Sequence, residues 1–123
     1  MQTVRVINTT RGAVLAERAG LADSVMTRAV GLMGQASLPE GSGLVIDPCT
    51  SIHMFFMRFA IDALYVAQNG TVLRAVSNLR PWRLGPISLS SRYVVELPSG
   101  TIARTGTQAG DQLQVALVTA QQD

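Results

Sequence analysis

The chain reads as a mainly β, α+β domain: a compact antiparallel β-sandwich or partly open barrel of about eight short strands with one packed helix. Three observations predict this. Short runs rich in Val, Ile, Leu and Tyr recur along the chain, each closed by Gly, Pro, Asn or Asp. Asn69-Gly70 sits between two such runs and is a strong hairpin signal, because both residues tolerate positive φ. One stretch after Ser24 repeats apolar residues at helical spacing. At 123 residues, 47% apolar and 15% charged, the chain is expected to form a single domain over 1–123, too apolar for disorder.

The elements follow in order. Residues 3–7 and 13–17 are two strands joined by a turn over Thr9-Thr10-Arg11-Gly12. From Asp23 or Ser24 as N-cap, Val25, Met26, Ala29, Val30 and Met33 line one apolar helix face, with Gly34 as the residue beyond its end. Residues 38–43 are loop by composition, and 44–46 form a strand stopped by Asp47-Pro48. Residues 61–67 and 71–76 are the hairpin around Gln68-Asn69-Gly70. The 81–86 stretch reads as irregular, since Pro81 and Pro86 each remove a backbone donor. Residues 93–97 form a strand closed by Pro98, 101–104 make one helical turn ended by Gly106, and 113–119 form the last strand, entered through Gly110-Asp111.

Composition removes several function classes. All ten basic residues are arginine, which excludes a Schiff-base lysine and a phosphate-loop lysine. The net charge is +2 and the pI near 9.3, yet the arginines are spread from Arg5 to Arg104 without a basic run, so no nucleic-acid partner is expected. Arg58 and Asp62 interrupt the most apolar region, and no run approaches the roughly 18 apolar residues of a membrane span. One cysteine forms no internal disulfide and suits a reducing compartment. The N-terminus lacks a signal peptide's apolar centre, so the chain as it stands reads as cytoplasmic, or periplasmic if a leader has been removed. No cofactor is implied, and the expected state is a monomer or weak dimer.

Distinctive residues concentrate in one place. Residues 52–62 hold all three phenylalanines, the only histidine and two of the five methionines, with the only cysteine at Cys49. As one strand, 52–59 would be apolar on both faces, which favours a buried central strand over the alternative of a groove lined by Phe and Met.

Several separated motifs carry a family resemblance. Arg28 with Gly31-Leu32-Met33, Leu38-Pro39, Gly43-Leu44, Ile52-His53, Phe56-Met57-Arg58-Phe59, Ile61-Asp62, Glu96-Leu97-Pro98 with Gly100, and Gly106 with Gly110-Asp111 resemble domain-of-unknown-function family 192 over nearly the whole chain. The resemblance implies a small, mostly β domain whose helix carries the Gly-Leu-Met element, and no biochemical activity. Ala60 departs from it, because many members have proline before the Ile-Asp pair.

Candidate chemistry centres on Arg28, His53, Met57, Arg58, Asp62, Trp82 and Glu96. Asp62, flanked by Ile61 and Ala63, needs a cation, backbone donors or water if buried. Arg28 and Arg58 are the available cations, although Arg58 lies roughly 13 Å away along a straight strand. Glu96 poses the same question. The two carboxylates could converge as an acid/base pair, but a role in ordering neighbouring loops is favoured, with Glu96 accepting backbone donors near Gly100.

Cys49 with His53 invites a nucleophile-and-base reading, which Pro48 and the β-like segment after it weaken. Cys49, His53, Met54 and Met57 are soft ligands suited to Cu(I), whereas one imidazole with one thiol does not make a usual zinc site. Trp82 between two prolines is either a contact residue or a cap over a sheet edge.

No complete catalytic constellation emerges. The expected function is a non-catalytic binding or accessory module for a small molecule or protein, with a site where the 53–62 segment, Arg28 and the Trp82 loop approach each other. A small hydrolase or lyase using Asp62 and Glu96 with His53, and Cu(I) or redox-related binding through Cys49, His53 and Met57, are the alternatives.

Overall fold

Two segments are apolar at every second position on both sides, Ile61–Val66 and Tyr93–Leu97 apart from Asp62 and Glu96, so each strand needs a hydrophobic layer on either face. They lie side by side within the sheet. The computed structural model describes residues 1–118, and among these the elements are β1 (Gln2–Asn8), β2 (Ala13–Ala22), α1 (Val25–Val30), β3 (Ser42–Ile46), β4 (Ser51–His53), β5 (Ile61–Val66), β6 (Val72–Leu79), β7 (Leu84–Ile87), β8 (Tyr93–Pro98), α2 (Thr101–Thr105) and β9 (Leu113–Leu117). A seven-stranded sheet has the order β6-β5-β8-β3-β2-β1-β9, and β4 and β7 form a separate two-stranded sheet. All pairings are antiparallel except that of β2 with β3.

The large sheet curls until its edges meet. Thr71 bridges Gln112, Val72 N–H donates to the Asp111 carbonyl at 2.8 Å, and Leu113 N–H donates to that of Gly70 at 2.8 Å. This seam gives a partly open barrel. Inside it Val6, Leu15, Val45, Leu64, Val66, Val95 and Leu97 pack with Val72 and Leu113 from the two edge strands. On the outer face Ile46, Ile61, Ala63, Tyr65 and Val94 pack under Ile52, Met54 and Met57. Successive residues of β5 and β8 thus alternate between two cores.

The expected mainly β class is observed, and the hairpin forms at Gly70 with φ 90°. Other expectations are corrected. Residues 52–59 are not one strand: β4 stops at His53, Met54 and Met57 turn inward, and Phe55 and Phe56 are exposed. The central strands buried on both faces are β5 and β8 instead. The 81–86 stretch contains the start of β7, paired antiparallel to β4. Helix α1 stops before Gly31, whose φ of 50° ends it three residues ahead of Gly34. Residue 119, placed in the last strand from sequence, lies outside the described residues.

Candidate functional site

Helix α1 is capped on both sides of its first turn. The Ser24 hydroxyl accepts from Thr27 N–H at 3.1 Å and Thr27 Oγ1 accepts from Ser24 N–H at 3.1 Å, a reciprocal capping box. None of its residues is buried. The chain anchors instead through Leu32, which joins the outer core. The helix therefore stands off the sheet, and Val25, Arg28, Ala29 and Val30 face a groove of about 520 Å³. Pro48–Ile52, His53 and Met57 form the opposite wall, and Ile46 and Glu96 are its sheet-derived floor.

Glu96 is the unusual member of this floor. It sits between Leu44 on β3 and Ala63 on β5, both apolar, and only 4% of its surface is exposed. Burial pushes its carboxyl up to about 8, and no hydrogen bond or cation among the described residues offsets that penalty. The acid is thus neutral near pH 7 and opens into the groove. Arg28 is its counterpart on the helix side: one terminal nitrogen reaches the Pro48 carbonyl at 3.4 Å, while its buried Nε–H has no partner among the described residues. An unpartnered buried donor carries a desolvation cost that a bound acceptor would remove.

Cys49 also lines the groove and feels both charges. Its thiol donates to the Ser51 carbonyl at 3.1 Å and burial raises its pKa, so it rests as a thiol and not a thiolate. His53 stands at the rim with Nδ1 accepting from Phe55 N–H at 3.2 Å, and its ring stacks on Phe55 at 5.2 Å. No Cys49–His53 hydrogen bond occurs among the described residues, which leaves the nucleophile-and-base pairing unformed. Cys49, His53 and Met57 all line the groove, but no cluster of three His, Cys, Asp or Glu suited to a metal occurs among the described residues.

Of the residues singled out from sequence, the groove gathers Arg28, His53, Met57 and Glu96, with Cys49. It does not gather Asp62. Because Asp62 pairs in register with Leu97 and Ala63 with Glu96, the two carboxylates leave opposite faces of the sheet. The proposed Asp62–Glu96 acid/base pair therefore does not exist. Nor does Asp62 pair with Arg28 or Arg58: fully buried, it accepts from the backbone N–H of Asn78 at 2.9 Å, Gly100 at 3.1 Å and Ile102 at 2.8 Å. Asp62, and not Glu96, takes the donors near Gly100, and it caps α2, whose own N-cap Gly100 has no side chain to do so.

Arg58 and Trp82 lie outside the groove lining. Trp82 is 59% exposed and meets Phe56, 64% exposed, at 5.0 Å and Phe55 at 6.2 Å. A groove lined by phenylalanine is thus not observed: the groove takes Met33 and Met57, and Phe55 and Phe56 face solvent. Sequence reasoning also missed Val25, Ala29, Val30 and Ile52 as lining residues. The signal for the first three was present, since a short apolar helix face followed so soon by glycine has little length with which to bury itself.

The profile of domain-of-unknown-function family 192, described as an uncharacterised ACR, matches residues 6–115. The chain belongs to that family. Family 192 relatives with the protein name UPF0127 include one from Thermococcus sibiricus, 30% identical over 112 residues covering 88% of this chain and 72% of the relative. Another, from Pyrococcus horikoshii, is 33% identical over 99 residues covering 76% and 84%. Among solved structures, one from Sinorhizobium meliloti, described as a candidate transcription regulator, superposes with a TM-score of 0.77 at 27% identity, covering 93% of this chain and 92% of that one. A protein of unknown function from Novosphingobium aromaticivorans has the same TM-score at 24% identity, covering 91% and 83%, and shares the fold. The family membership expected from the separated sequence motifs is thereby established, and no activity comes with it.

Proposed function

We propose that the protein is a non-catalytic binding module whose ligand occupies the groove between α1 and the Pro48–His53 wall. One observation carries this reading: Glu96 is nine-tenths buried, without a partner among the described residues, and lines a groove large enough for a small molecule. Buried acids in structural roles are hydrogen-bonded, as Asp62 is. The mostly aliphatic lining supplies burial for a ligand, and Arg28 with Glu96 supplies orientation.

Among the described residues no second catalytic group is assembled with Glu96, which favours binding over catalysis. Glu96 alone could donate a proton, yet Cys49 is a thiol held by Ser51, and the second carboxylate is on the far face. Thermal stability measured across a small-molecule library tests the reading. Compounds that stabilise the wild type and not Ala29→Trp, which fills the groove from an exposed position, are expected, and each should be recovered unchanged after prolonged incubation. Equal stabilisation of both proteins would remove the groove as the site. Conversion of a bound compound, lost in Glu96→Gln, would replace the binding reading with acid catalysis.

A further inference from the structure

The chemistry of the groove narrows what can fill it. Its lining contains one cation, Arg28, and one acid, Glu96, among mostly apolar neighbours. Arg28 offers a buried Nε–H with no acceptor. Glu96 offers a carboxyl group with no donor and no cation against it among the described residues, at the bottom of the same cleft. A polar group that satisfies both must accept from the guanidinium and accept or share a proton with the acid. Away from that pair the walls are Val25, Ala29, Val30, Ile52 and Met57, which present no further charge.

We infer that the groove takes a small amphipathic carboxylate, its head held between Arg28 and Glu96 and its aliphatic tail lying along Val25, Ala29, Ile52 and Met57. This rests on the groove being a ligand site. An anionic head suits the local charge, because a protonated Glu96 leaves the Arg28 guanidinium without a compensating carboxylate in the groove lining near neutral pH. The carboxylate accepts from Arg28 Nε–H and from the Glu96 O–H, two charge-assisted hydrogen bonds made by the buried groups of the cleft. An alcohol of the same length forms weaker bonds with both groups. An alkylammonium head meets the guanidinium as a like charge.

Binding should therefore weaken as Glu96 loses its proton. The other charged or titratable groups near Glu96 are Arg28 from α1, Cys49 and His53 from the wall leading through β4, and Tyr65 from β5. Cys49 and Tyr65 are both raised by burial, Tyr65 to about 12, so neither adds a negative charge while Glu96 titrates.

Calorimetric or NMR titration with hexanoate, 1-hexanol and hexylamine decides the matter. At pH 6.5 hexanoate should bind about tenfold more tightly than hexanol, with hexylamine weakest. The preference for hexanoate should disappear in Arg28→Met, while hexanol still binds that variant and so reports an intact groove. Between pH 6.5 and pH 9 the wild type should lose about tenfold in hexanoate affinity, and Glu96→Gln should lose none. Equal or tighter binding of hexanol or hexylamine at pH 6.5 would overturn the carboxylate head while leaving the groove as a ligand site. Hexanoate affinity unchanged to pH 9 would remove Glu96 from the head contact. Binding of all three probes to Ala29→Trp as well as to the wild type would overturn the groove itself.

Discussion

Two carboxylates with similar sequence surroundings have opposite roles. Asp62 and Glu96 each interrupt an apolar strand, and alternation predicts burial for both without saying which has partners. The partners of Asp62 come from residues 16, 38 and 40 positions away, so no local pattern announces them. Asp62→Ala should leave three N–H donors of part-buried hydrogen bonds without their acceptor and cost about 2–4 kcal/mol in urea unfolding, with α2 losing protection from hydrogen exchange first. Glu96 should show its character in the pH dependence of stability. With the folded carboxyl near 8 and the ordinary value at 4.5, the folded state holds a proton that the unfolded state has released between these limits. Stability contributed by protonated Glu96 is complete below about pH 4.5 and falls as pH rises to about 8. Relative to Glu96→Gln, the wild type should thus lose stability across this window and hold a constant difference above it. A flat difference would mean that Glu96 is ionised and paired.

At the level of elements, local signals were legible and distant pairings were not. The Asn69-Gly70 hairpin, the Ser24 cap and the turn of helix before Gly106 each depend on neighbours a few residues apart, and each appears where the sequence places it. The β4–β7 pair joins two short segments about thirty residues apart, one of them containing Pro86, and pattern gives no warning of such a pairing. Its requirement is visible only in three dimensions. A Cβ on Gly85 would lie 2.7 Å from the Tyr65 hydroxyl and 3.0 Å from the Ile52 carbonyl oxygen, next to the bond from the Tyr65 hydroxyl to the Pro86 carbonyl at 2.6 Å. Gly85→Ala should therefore push β7 off the outer core, costing about 1–3 kcal/mol by thermal unfolding. Because β4 carries Ile52 and His53 of the groove wall, the same variant should also weaken hexanoate binding.

At the scale of the whole molecule, the fold class followed from strand spacing, whereas the place of the 52–59 segment did not. Aromatic and methionine residues look alike in a core and on a surface. The structure divides them, sending Met54 and Met57 inward and leaving Phe55 and Phe56 with Trp82 outside. The curled sheet encloses one core, and its outer face is covered only in part by β4, β7 and the residues after α1. The uncovered part is the groove, which Glu96, a buried acid, and Arg28, whose buried Nε–H is likewise without a partner among the described residues, both line. A titration with hexanoate followed by backbone amide and side-chain carboxyl NMR tests this most directly. Shifts should concentrate at Arg28, Gly31, Cys49, His53 and the Glu96 carboxyl carbon. Shifts confined to Phe55, Phe56 and Trp82, or a Glu96 carboxyl that does not respond at saturation, would contradict it.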